Sequence, residues 1–125
     1  MSLSKQQIID QTNSASSKLL KEKGYISVVD VLIEIGKLQK QDYEKWRFQK
    51  IPYLEKVIQA NLSKINVILR AIQKYSQDNK LRASGTVYQS WGKGPKKLLR
   101  FSKSGEKKIE EAYATHYIKA KEDLE

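Results

Sequence analysis

Residues 52–79 read PYLEKVIQANLSKINVILRAIQKYSQDN, and after the opening proline neither a glycine nor a further proline interrupts them. Their apolar side chains recur at steps of three and four residues, which is the spacing of one face of an α-helix. These side chains are Leu54, Val57, Ile58, Leu62, Ile65, Ile68, Leu69, Ile72 and Tyr75. The pattern predicts one helix, roughly 40 Å long at about 1.5 Å per residue. We expect it to be the spine of the fold.

The chain before this stretch also predicts helices. Residues 4–24 are expected to form an N-terminal helix, with Ser4 as its N-cap and Gln7 in the spacing of a capping box. Gly24 suits the left-handed position that follows a helix. Residues 26–79 are then predicted to form a helical core.

Two shorter helices are expected inside that core, ahead of the long one. Ser27 can cap the first, which is apolar on nearly every side, and the second covers roughly residues 40–49. Gly36 separates them. A helix, a glycine turn and a second helix have the spacing of a helix-turn-helix unit.

The pattern changes after the long helix. Residues 84–103 are predicted to form a basic β-hairpin, with strands over 86–91 and 97–102 and a Gly/Pro turn at 92–95. A final helix is expected over residues 105–120. The fold class is therefore mainly α with one β-hairpin, which is an α+β fold in a single domain covering residues 1–125.

Composition places the chain in a broad class. It has 125 residues, 39% of them hydrophobic, and no cysteine, which excludes disulfides and cysteine-ligated zinc. No apolar run approaches the roughly 20 residues of a membrane span. There is also no basic-then-apolar export signal at the N-terminus. We therefore expect a cytoplasmic protein that does not enter the membrane.

The net charge of +10 is concentrated in one part of the chain. Residues 64–108 contain twelve basic and two acidic side chains and so carry a net charge of +10, equal to that of the whole chain. A basic face of this density attracts polyanions. The candidate nucleic-acid-binding residues are Arg82, Lys93, Lys96, Lys97, Arg100, Lys103 and Lys107. A surface that serves solubility is the competing interpretation.

The backbone at residues 102–108 is a second candidate anion site. Free N–H groups at a helix start bind anions, and three lysines lie close by in the sequence. The hairpin turn itself differs from a phosphate-binding P-loop, because its glycine spacing is wrong and a strand follows it.

No catalytic site, metal site or cofactor site is predicted. His116 is the single histidine, and no serine motif or metal-ligand spacing accompanies it. We expect it to pack against tyrosines on the last helix. The sequence thus predicts a binding protein rather than an enzyme, and no small-molecule substrate is evident.

The aromatic residues allow two interpretations. Exposed rings beside a basic segment can stack on unpaired bases, whereas half-buried rings are packing pieces with a polar end in water. Packing is favoured for Tyr43, Trp46 and Tyr53. For Tyr88 and Trp91, inside the predicted basic hairpin, both interpretations stay open.

The order of elements from about residue 26 to residue 101 resembles that of winged-helix domains of bacterial transcription regulators. The predicted 52–79 helix is much longer than the recognition helix of that family, which departs from its pattern. The stretches YQSWGKG (88–94) and AYATHY (112–117) resemble those of small bacterial proteins of unknown activity.

The resemblance and the charge together predict nucleic-acid binding, with duplex DNA as the favoured form and a regulatory role. The alternative is a protein-interaction or oligomerisation module, such as a homodimer, that uses the 52–79 helix.

Overall fold

The computed structural model describes residues 3–119 and combines helices with one small sheet. The helices are α1 (Lys5–Lys23), α2 (Val28–Glu34), α3 (Lys40–Arg47), α4 (Leu62–Asp78) and α5 (Lys107–Ala114), with a short 3₁₀ helix at Leu54–Lys56. The strands are β1 (Tyr25–Ser27), β2 (Arg82–Gly85) and β3 (Thr115–Ile118). The described part of the chain is therefore an α+β fold in which helices predominate.

The predicted caps of the first two helices are confirmed. Ser4 and Gln7 form a reciprocal capping box, in which the Gln7 N–H donates to Ser4 Oγ (3.1 Å) and the Ser4 N–H donates to Gln7 Oε1 (2.8 Å). Gly24 ends α1 with a φ of 80°, a conformation that costs little without a Cβ. Ser27 caps α2 by accepting the N–H of Asp30 at 3.1 Å.

The N-terminal helix packs along α4, and both bury their apolar faces in one core. The buried side chains are Ile8, Ala15 and Leu19 of α1 and Ile65, Ile68, Ala71 and Ile72 of α4. Full burial of one large aliphatic side chain stabilises a fold by about 1.5–3 kcal/mol. Most of the apolar stripe of α4 is thus covered inside the protein itself, whereas Leu62 at its start is 63% exposed.

The single helix predicted over residues 52–79 is wrong in its first third. Its helical part, α4, begins after Asn61, whose Oδ1 accepts a backbone N–H of the first turn at 2.9 Å. Upstream, the Leu54 N–H donates to the carbonyl of Arg100 at 3.2 Å instead of to a helical partner. Leu54 and Ile58 are nevertheless buried. Their spacing therefore reflects the fact that both side chains are buried, not that the segment is helical. Hydrogen bonds to distant segments fix a non-helical backbone despite the helical periodicity.

The helix predicted over residues 105–120 is also shorter than expected. After two turns α5 continues directly into β3, which lies between β1 and β2 in an antiparallel sheet of order β1-β3-β2. Tyr117 is opposite Ile26 on one side and Ala83 on the other. Because β3 pairs on both edges, the sheet stabilises an extended conformation over the local helix preference. Residue 120 lies outside the described residues.

The hairpin predicted over residues 84–103 is present only as a turn with minimal pairing. The regular strand β2 pairs with β3, and the two predicted hairpin strands meet in one antiparallel bridge, Gln89 to Leu98. Two backbone hydrogen bonds of 2.8 Å flank that bridge. The paired segments separate beyond it, because the carbonyl of Phe101 accepts the N–H of Glu55 at 2.8 Å.

An aromatic cluster joins this segment to the helices. Trp46 is fully buried, and its Nε1–H donates to the carbonyl of Arg100 at 2.8 Å. Its ring centroid is 5.1 Å from that of Phe101 and 5.7 Å from that of Tyr88. Phe101 in turn stacks on Tyr113 at 5.3 Å. The packing predicted for Trp46 is confirmed.

Candidate nucleic-acid interface

The turn at residues 92–97, GKGPKK, is here called the lysine loop. Gly92 and Gly94 have φ angles of 103° and 98°, which side chains with a Cβ rarely adopt, so the reversal of the chain requires glycine at both positions. Every residue of the loop is exposed. The loop therefore carries three exposed ammonium groups, those of Lys93, Lys96 and Lys97.

The base of the lysine loop is fixed to the end of α3. The Trp91 N–H donates to the carbonyl of Arg47 at 2.7 Å, and Arg47 Nη1 donates to the carbonyl of Gln89 at 2.8 Å. Across the turn, the Lys97 N–H donates to the buried hydroxyl of Ser90 at 2.9 Å. These bonds hold the loop backbone in place while its lysine side chains remain in solvent.

The Arg47 side chain lies among three aromatic rings. Its guanidinium carbon is 4.6 Å from the ring centroid of Tyr88, 5.0 Å from that of Trp91 and 5.5 Å from that of Tyr43. Its Nε donates to the Tyr43 hydroxyl at 2.8 Å. The planar guanidinium suits such stacking. Arg47 therefore fixes the positions of the rings behind the lysine loop.

Arg100, one of the predicted site residues, has its guanidinium engaged within the fold. Its Nε donates to the carbonyl of Ser102 at 2.8 Å, and its Nη2 donates to the carbonyl of Lys103 at 2.5 Å. It also lies over the ring of Tyr53, at 5.5 Å from the centroid. These contacts brace the turn at residues 102–105.

That turn is the first part of the 102–108 segment that the sequence suggested as a second anion site, and the N–H groups of Ser102, Lys103 and Gly105 already have acceptors. Glu110 accepts from the backbone of Phe101 (2.8 Å) and Ser102 (2.7 Å) and from the Ser102 hydroxyl (2.5 Å). Glu55 accepts the N–H of Lys103 at 2.9 Å. Two carboxylates of the protein thus occupy the place expected for a phosphate. The start of α5 itself, at Lys107, has no side-chain cap, so the expectation of free N–H donors there stays a prediction.

The remaining predicted site residues lie on other elements. Arg82 begins β2, opposite Ile118 of β3, and is exposed. Lys107 begins α5 and Lys103 lies in the 102–105 turn, and both side chains are exposed. The structure thus gathers three of the seven predicted residues in one loop and distributes the other four over the turn, the sheet and α5.

His116 lies in β3, not on a helix as expected, and it does pack against tyrosines. Its Nε2 is 3.0 Å from the Tyr88 hydroxyl, and its ring stacks on Tyr25 with centroids 5.3 Å apart. Burial lowers the pKa of the imidazole, and the positive charge of Lys23 acts in the same direction. Asp30 opposes both effects.

The cleft beside His116 measures about 240 Å³ and is lined by polar side chains. Two aliphatic hydroxyls lie on its wall. That of Ser27 caps α2, and that of Thr86 donates to the carbonyl of Ala114. Asp30, also on the wall, is paired with Lys23 at 3.1 Å. The Thr86 hydroxyl proton and the Asp30 carboxylate therefore already have partners within the fold, and the Ser27 oxygen accepts a backbone N–H.

No family model, no curated protein and no solved structure matches this chain. Among residues 3–119, no three His, Cys, Asp or Glu side chains form a group that could hold a metal ion. None of the helices in that range is both long and apolar enough to cross a membrane.

Two aromatic residues contribute to the surface around the lysine loop: Trp91, for which stacking was one of two open interpretations, and Phe48, which the sequence pattern did not single out. Phe48 follows α3 with 49% of its surface exposed, and Trp91 precedes the lysine loop with 40% exposed. Their ring centroids are 5.7 Å apart. Because 43 residues separate them along the chain, no local pattern could bring them together.

Proposed function

We propose that this protein binds nucleic acid through phosphate contacts made by the lysine loop. The observation that carries the proposal is that Lys93, Lys96 and Lys97 project from one exposed loop whose backbone is fixed to α3. Lysine ammonium groups bind phosphate as point charges, and a fixed backbone lowers the entropy lost on binding. The proposal is for a binding protein and not for an enzyme.

The electrostatic surroundings of the loop support a polyanion. Asp78 and Glu106 are the nearest acidic residues along the chain on either side of it. The basic side chains in between are Lys80, Arg82, Lys93, Lys96, Lys97, Arg100 and Lys103. Of these, Arg100 is engaged within the 102–105 turn, so we assign phosphate contacts chiefly to the loop lysines, with Arg82, Lys103 and Lys107 in support.

A winged-helix-like arrangement is part of the proposal. In its favour, helices are followed by two antiparallel strands, β2 and β3, and the connection between them carries the lysine loop. That connection also contains α5, whereas the predicted order placed the last helix after both strands. Duplex DNA is the form that the winged-helix resemblance favours, but lysine contacts alone do not distinguish it from a single strand.

The alternative, an interaction or oligomerisation module that uses the 52–79 helix, has less in its favour. That proposal needed a long apolar stripe free to meet another subunit. The stripe of α4 is instead packed against α1, and the residues before Asn61 fold back on other segments. We therefore do not develop it further.

Fluorescence anisotropy tests the proposal with labelled duplex DNA, single-stranded DNA and RNA of mixed sequence at several salt concentrations. We expect affinity to fall with salt by about 0.9 log units per log unit of salt for each phosphate contact on duplex DNA. The Lys96→Ala/Lys97→Ala variant should bind more weakly, with a salt slope smaller by about 1–2.

The control for charge is Lys5→Ala/Lys21→Ala, which removes two exposed lysines of α1. It changes the net charge equally but leaves the lysine loop intact, so we expect a salt slope like that of the unaltered protein. Equal losses in both variants would assign binding to overall charge. The absence of binding to any of the three probes at low salt would refute the proposed function.

A further inference from the structure

Two large aromatic side chains stand exposed next to the lysine loop. Phe48 and Trp91, here called the aromatic pair, expose 49% and 40% of their surfaces. Such rings normally bury most of their area in a protein of this size. Their exposure at the base of a basic loop indicates a surface that contacts a ligand.

We propose that the aromatic pair stacks on unpaired nucleobases while the loop lysines hold the adjoining phosphates, so that the protein prefers single-stranded nucleic acid to blunt duplex. The inference rests on the proposed function and makes it more specific. Single strands offer exposed base faces and phosphates together, whereas a duplex keeps its bases stacked inside.

The aromatic pair is held in position before any ligand arrives. The ring of Trp91 has the guanidinium of Arg47 over it, and the rings of Tyr43 and Phe48 meet it at 88° and 78°. Its backbone N–H is bonded to α3 at 2.7 Å. A ring fixed in this way loses little conformational freedom when a base stacks on it.

Positive charge lies directly beside these rings. A Cβ at Gly92 would lie 3.6 Å from Cδ1 of Phe48, so the loop backbone passes close to that ring. The ammonium group of Lys96 donates to the carbonyl of the same Gly92 at 3.0 Å. A cation and an aromatic face are therefore available to one and the same nucleotide.

An open hollow of about 370 Å³ adjoins Trp91. Its wall includes Arg47, Gln89 and Lys96, which supply a second cation, an amide and the loop ammonium. The carboxylates of an acidic peptide could pair with these cations, but they would not stack on the exposed indole and phenyl faces. Stacking together with positive charge thus favours an unpaired nucleotide over a protein ligand.

The test compares a single-stranded thymidine homopolymer with a blunt mixed-sequence duplex of the same length, both labelled for anisotropy. In Phe48→Leu/Trp91→Leu, leucine keeps apolar volume but removes both π-faces. We expect single-strand affinity to fall by at least about 5- to 150-fold, since stacking of one base contributes about that much. Affinity for the duplex should stay within about two-fold, because duplex contacts are to phosphate.

Two controls separate this inference from the proposed function. Leu98 directly follows the lysine loop, and 71% of its apolar side chain is exposed. The Leu98→Ala variant removes that side chain and should bind both probes normally. Lys96→Ala/Lys97→Ala should weaken binding to both. Single-strand binding that survives in the leucine variant but is lost in the lysine variant would overturn the stacking inference and leave the proposed function standing. Binding of neither probe by the unaltered protein would overturn both.

Tryptophan fluorescence gives a second readout that does not depend on a folded double variant. Trp46 is fully buried, so quenching by added thymidine homopolymer should come from Trp91. We expect quenching in the unaltered protein and in Phe48→Leu, but none in Trp91→Leu. Unquenched emission at saturating single strand would contradict stacking on Trp91.

Discussion

Two lysine-bearing turns, 92–97 and 102–105, follow one another in the chain and look alike as sequence, yet the structure uses them in opposite ways. Both contain glycine and exposed lysine. In the second turn, Glu110 and Glu55 accept the backbone N–H groups, and Arg100 donates to the carbonyls. In the lysine loop, the cations themselves remain available to a ligand.

This difference shows why charge density alone does not identify an anion site. A donor that already has a buried or partly buried acceptor gains little from a phosphate, because the native bond must first be broken. Glu110 comes after the second turn, at the start of α5, and Glu55 lies far upstream. Whether such a turn can bind an anion depends on whether a carboxylate of the protein already accepts its N–H groups.

The largest expected effect is on the free energy of unfolding, when the carboxylate that binds the second turn is removed. Glu110→Ala removes three hydrogen bonds to a partly buried carboxylate and leaves their donors without an acceptor, so we expect a loss of about 3 kcal/mol in the free energy of unfolding. Urea denaturation measures it. The neighbouring exposed Glu111 gives the control Glu111→Ala, which should cost less than about 0.5 kcal/mol. Equal stability of the two variants would show that the turn does not depend on its carboxylate.

A smaller effect is expected from Arg100, which braces the same turn. Arg100→Ala should lower the free energy of unfolding by about 1–2 kcal/mol, because two hydrogen bonds to carbonyls and the contact with Tyr53 are lost. Lys97→Ala should cost less than about 0.5 kcal/mol but reduce the salt slope of binding. If Arg100→Ala reduced the salt slope more than Lys97→Ala did, the second turn would be the phosphate site.

The smallest expected effect is a pH dependence of stability that comes from His116, whose ring contacts Tyr88 a few residues before the lysine loop. Burial lowers the pKa of His116 from its ordinary value of 6.5, so the unfolded chain takes up this proton first as the pH falls. The contribution of His116 to stability is therefore present above about pH 6.5 and is lost as the pH falls through its folded pKa.

Urea denaturation between about pH 7.5 and 5 measures this effect. We expect the difference in stability between the unaltered protein and His116→Gln to shrink on acidification, since glutamine does not titrate. A difference that stays constant over this range would mean that His116 has the same pKa in the folded and unfolded chains.

Local features of the sequence were predicted well. The capping box of Ser4 and Gln7, the left-handed Gly24 and the cap at Ser27 are all present as expected. Each depends on groups within four residues of one another, so the sequence contains the whole interaction. The exposed Gly/Lys turn at 92–97 belongs to the same class, because its glycines permit the positive φ that it needs.

Features that depend on distant segments were predicted poorly. The stretch 52–79 has helical periodicity throughout, but Asn61 starts a new helix and Leu54 bonds to the chain near Arg100. The THYI segment at 115–118 is β-branched and aromatic enough to indicate a strand, and the helical pattern before it obscured that signal. For the candidate site, the loop lysines and the stacking interpretation of Trp91 were found from sequence, whereas Phe48 and its position beside Trp91 were not.

The sequence by itself determined the caps of the first two helices, the helix-rich α+β class and the concentration of positive charge between residues 64 and 108. The tertiary structure alone decided which basic turn has its backbone N–H groups bound by carboxylates, which residues form β3, and that Phe48 lies beside Trp91. The physical reason is the range of the interactions. Caps and turns are satisfied by neighbours along the chain, whereas the partners of a carboxylate, a strand edge or an aromatic ring are supplied by segments that only folding brings together.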